Sequence, residues 1–364
     1  MATVRSNCSI PLWFCLVTFV AYFGVLVYSE RCQPGDTGLR YEFSNETLRV
    51  VAVSPNSPTG RAGIRSGDLL LAVDERPVRN YEDWRHFRAT REIGRTLRFK
   101  IRRAEGLFEI SVVLGRHPGD PVAPLERKRY VQGVLLVFAM VLIFLGTHDP
   151  VRLVCAWLLA SIGTAPMFPE AEMMAIWRGL PTLVGALLWI PQLSHLMLLP
   201  LFFTFFALLP RPLFKATWLW VIVWSPALLV AVWESPRLYD QIYHPPIVQG
   251  LPAWLRFALG AGVILYGGGG LAALLINYRR SESQNRARFQ LLVFGALVGL
   301  APLIPFLAAV FWGTLTQSAF VWFFVSDPYR HALVGLFVVF PFCLAYAIIR
   351  HRVFREPARG HGNN

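Results

Sequence analysis

A series of apolar segments, each close to the length needed to cross a lipid bilayer, constrains this chain most. A helix needs roughly 20 apolar residues to span the hydrocarbon layer. The composition agrees, because 55% of the residues are hydrophobic and only 16% are charged. We predict a polytopic α-helical membrane protein with eight transmembrane helices, at residues 11–29, 130–147, 152–168, 183–208, 216–233, 255–277, 290–312 and 332–349. In the fourth segment, Pro191 and Pro200 are expected to kink one helix or to split it.

The stretch from Gly38 to Gly115 is the one long segment polar enough to fold in water. Residues 81–91 within it have large apolar side chains at helical spacing, and Asn80 fits an N-cap. Short runs typical of β-strands surround this helix, at residues 48–54, 69–78, 96–102 and 107–114. The last two runs form a hairpin through residues 103–106. We therefore predict a small, β-rich domain over residues 33–116.

This order of elements resembles a PDZ domain of the bacterial type. The matching motifs are VSPNSP at 53–58, RAGI at 61–64, GDLL at 67–70, and Val73-Asp74 followed by Pro77-Val78. PDZ domains bind peptides, usually free C-termini, as an added strand between a sheet edge and a helix. The resemblance implies a carboxylate-holding loop at 36–41 and a helical wall at 81–91. It assigns peptide contacts to Gly38, Leu39, Arg40, Tyr41, Trp84 and Arg88.

Several residues of this domain also fit a structural role. Trp84 and Phe87 are expected to be core residues, whatever else they contact. Arg61, Asp68 and Asp74 lie in turn-forming sequence, where we expect turn and surface positions rather than ligand contacts.

The charge distribution predicts how the chain is oriented in the membrane. Loops rich in lysine and arginine stay in the cytoplasm, and the most basic segments are 278–288, 210–215 and 350–355. With eight spans all three lie on one side, which makes both termini cytoplasmic and the β-rich domain extracytoplasmic. One basic group disagrees with this rule, because Arg127, Lys128 and Arg129 enter the second span from the outer side. The predicted order is a cytoplasmic N-terminus at 1–10, a first span at 11–29, a PDZ domain at 33–116, a linker at 117–129, a seven-helix bundle at 130–350 and a cytoplasmic tail at 351–364.

A second resemblance concerns the membrane segments. The motif PFCLAYAIIRHRVF at 341–354 and the entry RARFQL at 286–291 are similar to the multi-span sensor regions of bacterial signalling proteins. In some of these, similar to the competence-pheromone receptor kinases, a PDZ segment follows the first span. The resemblance implies location in a bacterial inner membrane. Because the sequence stops at Asn364, we expect the output domain to belong to another protein, such as a cytoplasmic histidine kinase.

Three common motifs of hydrolytic enzymes are absent from this sequence. The sequence has no His-Glu-x-x-His, no Gly-x-Ser-x-Gly and no pair of intramembrane aspartates. His195 is the notable polar residue inside a span, and it is expected to bond a neighbouring helix or to lie close to the membrane interface. Ser194 and His195 are adjacent on one helix and cannot form a nucleophile and base pair. We predict that the chain is not an enzyme and uses no cofactor or metal.

The net charge of +13 raises the question of nucleic-acid binding. The basic residues are expected to be dispersed over the PDZ region, the loops and the tail rather than on one continuous patch, so we predict no nucleic-acid partner. The expected partners are a peptide or protein C-terminus, a cytoplasmic signalling protein and the lipid bilayer.

Three functions follow from these predictions. The first is a membrane sensor or adaptor that relays peptide capture to a cytoplasmic partner. The second is a scaffold that delivers clients to a protease or envelope machine. The third is an intramembrane enzyme, which would need a second polar group facing His195 across the bundle.

Overall fold

A computed structural model describes residues 9–31, 37–44, 47–79, 83–84, 87, 91, 94–115, 127–144, 150–165, 171–209, 212–244, 253–280, 283–300, 339–340 and 343. After the N-terminal helix α1 (Ser9–Arg31), one antiparallel sheet follows. Its strands are β1 (Leu39–Ser44), β2 (Thr47–Val53), β3 (Leu69–Val73), β4 (Arg76–Pro77), β5 (Thr96–Arg103) and β6 (Gly106–Val113). The strand order is β1-β2-β3-β5-β6, with β4 paired to β3, so β1 and β6 are the edges of this sheet.

The sheet domain, defined here as residues 37–115, has its own hydrophobic core. Alternating residues of β5 point inward, and Leu97, Phe99 and Ile101 are almost fully buried. They pack on inward residues of the other strands and on the segment at 83–87, in a cluster formed by Leu48, Val50, Ile64, Leu70, Val73, Val78, Trp84, Phe87, Leu97, Phe99, Ile101, Val112 and Leu114. Because every member of this cluster lies within the domain, we expect residues 33–119 to fold as a separate unit.

Two local features of the sheet domain differ from the sequence prediction. The strand predicted at 69–78 is broken by a turn at Asp74 and Glu75, whose φ angles are +47° and +65°. Positive φ at both positions is the mark of a two-residue hairpin turn, which matches the pairing of Val73 with Arg76. A short helix that was not among the predicted elements follows β2, namely α2 (Pro58–Arg61), and its N-cap Ser57 accepts a hydrogen bond from Gly60 N–H.

The remaining described helices form an apolar bundle. They are α3 (Arg127–Phe144), α4 (Pro150–Thr164), α5 (Ala171–Gly179), α6 (Thr182–Leu187), α7 (Trp189–Leu196), α8 (Leu198–Leu208), α9 (Thr217–Tyr243), α10 (Ala253–Gly262), a π-helical segment at Val263–Gly268, α11 (Gly269–Arg280) and α12 (Ser283–Leu300). The largest core cluster of the bundle joins residues from α1, α3, α4, α8, α11 and α12.

By length and composition, two described helices are able to cross a membrane, Thr217–Tyr243 and Gly260–Arg280. A third qualifies if Thr182–Leu196 and Leu198–Leu208 form one span, although they are bent by 61°. Shorter apolar helices occur at Phe14–Ser29, Arg129–Phe144 and Pro150–Thr164. The described helices therefore support two or three spans, and eight remains a prediction. Most of the predicted span at 332–349 lies outside the described residues.

The breaks predicted from Pro191 and Pro200 are confirmed. They occur at Leu188 and Met197, three residues before each proline, where the proline ring disrupts the preceding turn of helix, and the chain bends by 61° at the second break. Another feature of the bundle was not expected from sequence. The segment between the predicted spans at 152–168 and 183–208 contains α5, which buries Met173, Met174 and Trp177 against α1 and α9. Apolar residues at helical spacing in this short segment were the available signal.

Candidate peptide groove and intramembrane polar cluster

Strand β1 lies at one end of the sheet, and in the described part of the domain it pairs only with β2. Leu39, Tyr41 and Phe43 are half-buried and pack against the core, whereas Arg40 and Glu42 are exposed on the opposite face. The register shifts between Arg40 and Tyr41, which is typical of a bulge at a sheet edge. An edge strand offers backbone N–H and C=O groups to an added strand, so the backbone of β1 suits peptide pairing.

The turn before β1 is fixed by backbone contacts. Gly38 has a φ of +75°, and a Cβ at this position would lie 2.1 Å from Ser57 Cβ. The Gly38 carbonyl accepts a hydrogen bond from Ser54 N–H at 2.9 Å, and the Thr37 carbonyl accepts one from Thr59 N–H at 3.2 Å. The start of the candidate carboxylate loop is therefore held against the segment at 54–59, where only glycine fits.

An aromatic cluster links the edge strand to two helical residues, Trp84 and Phe87. The ring of Tyr41 meets that of Trp84 edge-on, at 5.0 Å between centroids. Trp84 in turn contacts Phe87 at 4.7 Å, and Phe87 contacts Phe99 at 5.9 Å. The indole Nε1–H of Trp84 is buried and has no hydrogen-bond partner in the described structure. The expectation that Trp84 and Phe87 are core residues is confirmed, since they are 1% and 7% exposed.

The structure brings some of the predicted peptide contacts together and separates others. Gly38 to Tyr41 are contiguous, but Leu39, Arg40 and Tyr41 belong to β1, so the predicted loop at 36–41 is wrong for these three residues. Tyr41 meets Trp84, whereas the Arg40 side chain lies on the other face of the strand. Arg88 lies outside the described residues. Their roles in ligand binding stay predictions.

Asp68 is a buried anchor of the fold rather than a surface residue. It receives hydrogen bonds at 2.8 Å from Arg103 Nε and Nη2 and from the backbone N–H of Arg65. Burial favours the neutral acid, but the hydrogen bonds and the positive charge of Arg103 outweigh it and hold the pKa of Asp68 below its usual value. The surface position predicted for Asp68 is therefore wrong. Asp74 does occupy a turn, where its carboxylate accepts from Arg98 N–H at 2.9 Å.

A cluster of polar side chains is buried inside the bundle, where α1, α4 and α7 meet. The Tyr22 hydroxyl donates to Gln192 Oε1 at 2.7 Å, and the Tyr22 ring lies edge-on to the His195 ring at 5.2 Å. His195 Nε2 is 2.9 Å from Thr164 Oγ1, so the expected bond from His195 to a neighbouring helix is confirmed. All four side chains of this polar cluster are fully or almost fully buried.

The hydrogen bonds of Thr164 indicate the tautomer of His195. Thr164 Oγ1 lies 2.8 Å from the Ala160 carbonyl, and its single proton is used there. The hydroxyl oxygen then accepts from His195 Nε2–H, which leaves His195 Nδ1 as a buried acceptor without a partner in the described structure. Ser194 makes separate bonds: it accepts from Trp157 Nε1–H at 3.0 Å and donates to the Ile190 carbonyl at 2.9 Å.

This arrangement supplies the second polar group that an intramembrane enzyme would need, but not in a reactive form. A base activates a hydroxyl by accepting its proton. Here the Thr164 proton points to a carbonyl and the imidazole acts as donor, so the pair stabilises helix packing. Among the described residues, no group of three or more His, Cys, Asp or Glu side chains is placed to hold a metal ion.

Comparison with known proteins agrees with the geometry of the sheet domain. A family model described as "PDZ domain" matches residues 35–114. Within this region the chain resembles the magnetosome formation protease MamE of Magnetospirillum gryphiswaldense, at 39% identity over 66 residues, and that of Paramagnetospirillum magneticum, at 36% over 66 residues. Each match covers 18% of this chain and less than a tenth of the relative, namely 8% and 9%. Residues 35–114 of this chain form a PDZ domain.

Proposed function

We propose that the chain is a multi-span membrane adaptor whose PDZ domain binds the C-terminus of a peptide or protein outside the cytoplasm. The observation that carries this proposal is the position of β1 at the sheet edge, beside the aromatic pair Tyr41 and Trp84. The preceding turn, held by Gly38 against Ser57, gives backbone N–H groups a fixed direction near the start of the strand. A terminal carboxylate bound at that turn would set the register of the added strand.

The proposed topology has eight spans and two cytoplasmic termini, in a bacterial inner membrane. Arg129, whose charge runs against this orientation, is 2% exposed, and its Nη1 donates to Gln132 Oε1 at 3.0 Å. Because this guanidinium is buried and hydrogen-bonded, we leave Arg129 out of the count of positive loop charges that sets the orientation. Reaction of single cysteines in the PDZ domain and the tail with a membrane-impermeant reagent tests the orientation.

The proposed route from the PDZ domain to the bundle is helix α1. Only residues 32–38 separate the end of α1 from β1, and Tyr22 on α1 contacts Gln192 and His195 of α7. Peptide binding that reorients β1 would shift α1 and so alter the contact of Tyr22 with Gln192 and His195. The proposed receiver is a cytoplasmic histidine kinase or another signalling protein.

The test has two parts. Residues 33–119 are titrated with peptides bearing free C-termini and with amidated copies, and we expect binding that amidation abolishes. The full chain in lipid nanodiscs is then followed by hydrogen exchange, where peptide should change the protection of α7. Tyr22→Phe should remove that change without altering peptide affinity. Equal affinity for amidated peptides would overturn the proposed capture of a C-terminal carboxylate. Hydrogen exchange of α7 that does not change when peptide binds would overturn the proposed relay.

A second candidate function is client delivery to a protease. It is favoured by the resemblance of the PDZ region to a protein named a protease, MamE. In this case peptide binds as above, but the exchange of α7 stays constant and a protease co-purifies with the full chain. We do not propose that the chain itself is an enzyme, because the Thr164 and His195 pair is buried and its hydroxyl proton is committed to a carbonyl.

A further inference from the structure

The PDZ sheet has an outward face, opposite its core, that carries an excess of positive charge. Side chains alternate along each strand, so the residues between the buried ones point outward. On β5 these are Arg98, Lys100 and Arg102, all exposed. Neighbouring strands add Arg40, Arg49 and two carboxylates, Glu42 and Glu109.

The strand register brings these charges into one surface. Arg49 of β2 lies opposite Leu69 of β3, and Leu69 lies opposite Arg102 of β5. Lys100 lies beside Arg102 on the same face and opposite Glu109 of β6. The register therefore gathers basic residues of β2 and β5 on one face of this domain, a local grouping that the sequence analysis did not predict. Period-two alternation alone could not show it, because these residues come from strands far apart in sequence.

Most of these cations form no ion pair with the described residues. Arg98 is 3.1 Å from Glu75 and 4.0 Å from Glu109, but Arg40, Arg49, Lys100 and Arg102 have no such partner in the described part of the chain. Exposed apolar side chains accompany them on the same face: Val51, Leu107 and Val113 are 50%, 59% and 57% exposed. Cations mixed with exposed apolar groups are the surface chemistry that favours binding to an anionic membrane.

The chain itself also favours a membrane as the occupant of this face. In the proposed topology, on which this inference rests, α1 and α3 are both embedded in the bilayer. Residues 32–38 connect α1 to the sheet, and this segment reaches at most roughly 25 Å when extended. A face tethered so close meets the lipid surface at high effective concentration, unlike any free protein.

We propose that the outward face of the PDZ sheet, centred on Arg49, Lys100 and Arg102, docks on anionic phospholipid headgroups of the membrane in which the chain is anchored. The opposite side of the domain, with the β1 edge and the Tyr41–Trp84 pair, would then remain available to a peptide. Lipid docking would orient the groove and limit its motion relative to α1.

The experiment uses residues 33–119, which contain the whole core of the domain. Co-sedimentation is measured with vesicles of phosphatidylcholine and with vesicles of equal parts phosphatidylcholine and phosphatidylglycerol, over a series of salt concentrations. The test variant is Arg49→Gln/Lys100→Gln/Arg102→Gln. The matched control, Arg61→Gln/Arg65→Gln/Arg79→Gln, removes the same charge from exposed positions outside the strands of the sheet.

We expect binding to the anionic vesicles alone, weakened by salt. Each charge removed from the face should lower the affinity roughly fivefold, or on the order of a hundredfold for the test variant, while the control variant stays close to the parent. None of the five cysteines lies within 33–119, so Leu107→Cys accepts a single environment-sensitive dye. Its emission should shift to the blue on the anionic vesicles, whereas a dye at Arg79→Cys should not respond.

Equal weakening by both triple variants would reduce the effect to net charge and overturn the proposal. So would binding to both vesicle types alike, or retention on immobilised polyglutamate without any vesicle binding, which would indicate an acidic protein partner. Peptide titration of the parent and of the test variant separates this inference from the proposed function. If the parent binds anionic vesicles but no peptide, the peptide groove is refuted and lipid docking still stands.

Discussion

Replacing Gly38 by alanine should destabilise the PDZ domain by much more than an ordinary glycine substitution. A Cβ at residue 38 would lie 2.1 Å from Ser57 Cβ and 2.5 Å from Ser57 Oγ, far inside van der Waals contact. The φ of +75° costs an L-residue about 1–2 kcal/mol. Relieving the overlap adds about 1–3 kcal/mol, the range for overpacked sites. The free energy of unfolding should fall by about 2–5 kcal/mol in total.

Two comparisons separate the backbone contribution from the steric one. Gly67 has a φ of +94° and open space where its Cβ would be, so Gly67→Ala should show the backbone cost alone. Ser57→Gly removes the side-chain atoms that would collide with the added methyl group and, by itself, should cost only a few tenths of a kcal/mol as an N-cap change. The double variant Gly38→Ala/Ser57→Gly should therefore regain about 1–3 kcal/mol relative to the sum of the single variants.

Urea denaturation of residues 33–119 measures these differences. Trp84 is the only tryptophan in this segment and is 1% exposed, so its fluorescence reports unfolding of the core. Equal stabilities for Gly38→Ala and Gly67→Ala, or single-variant effects that simply add in the double variant, would refute the argument for a close contact between the turn and Ser57. At temperatures where Gly38→Ala remains folded, it should also weaken binding of free C-termini, because the turn holds the start of β1.

Three further predictions follow from individual contacts. Asp68→Asn should lower the unfolding free energy of residues 33–119 by about 2 kcal/mol in urea, because it removes the charge that pairs with Arg103. Since the pKa of Asp68 is lower in the folded state, this stabilisation is present above about pH 4 and is lost as pH falls through the folded pKa, so the difference between parent and variant should shrink in acid. Gly270→Ala should reduce the thermal stability of the full chain, since its Cβ would lie 2.9 Å from Phe202, whereas Gly267→Ala, with open space around it, should be neutral; equal effects would contradict close packing there. Thr164→Val leaves His195 Nε2 without its buried partner and should cost about 1–3 kcal/mol of bundle stability, measured by thermal denaturation in detergent, and retained stability would argue against the Thr164–His195 hydrogen bond.

Much of the PDZ domain is predictable from sequence because local signals and global fold agree there. The strands at 47–53, 96–103 and 106–113 match the β-rich runs within a residue or two. Asp68 was misassigned because a Gly-Asp pair is typical of a turn, and its partner Arg103 is 35 residues away in sequence. Pairing across that distance depends on strand order, which composition and spacing do not determine.

The bundle was less predictable for a related reason. Apolar spans indicate where helices lie, and the helices at 182–208 and 253–280 follow the predicted segments closely. Hydropathy does not indicate which faces meet. Tyr22 contacts Gln192 and His195, although Tyr22 and Gln192 are 170 residues apart in sequence. The two prolines were a usable local signal, because the breaks at Leu188 and Met197 lie three residues before Pro191 and Pro200, in the turn that each proline ring disrupts.

Helix α1 is the element of the bundle that leads directly into the PDZ domain. Its inner face is buried in two clusters of the bundle, through Leu16 and Phe19 in one and Tyr22 and Leu26 in the other. Its C-terminal end leads within a few residues to Gly38 and the edge strand. In a low-dielectric bundle, the Tyr22 hydroxyl has few alternatives to Gln192, so a shift of α1 must either keep that bond or leave two polar groups unpaired. A buried hydrogen bond of this kind is either kept or broken, which is the behaviour that the proposed relay from the PDZ domain to the bundle would require.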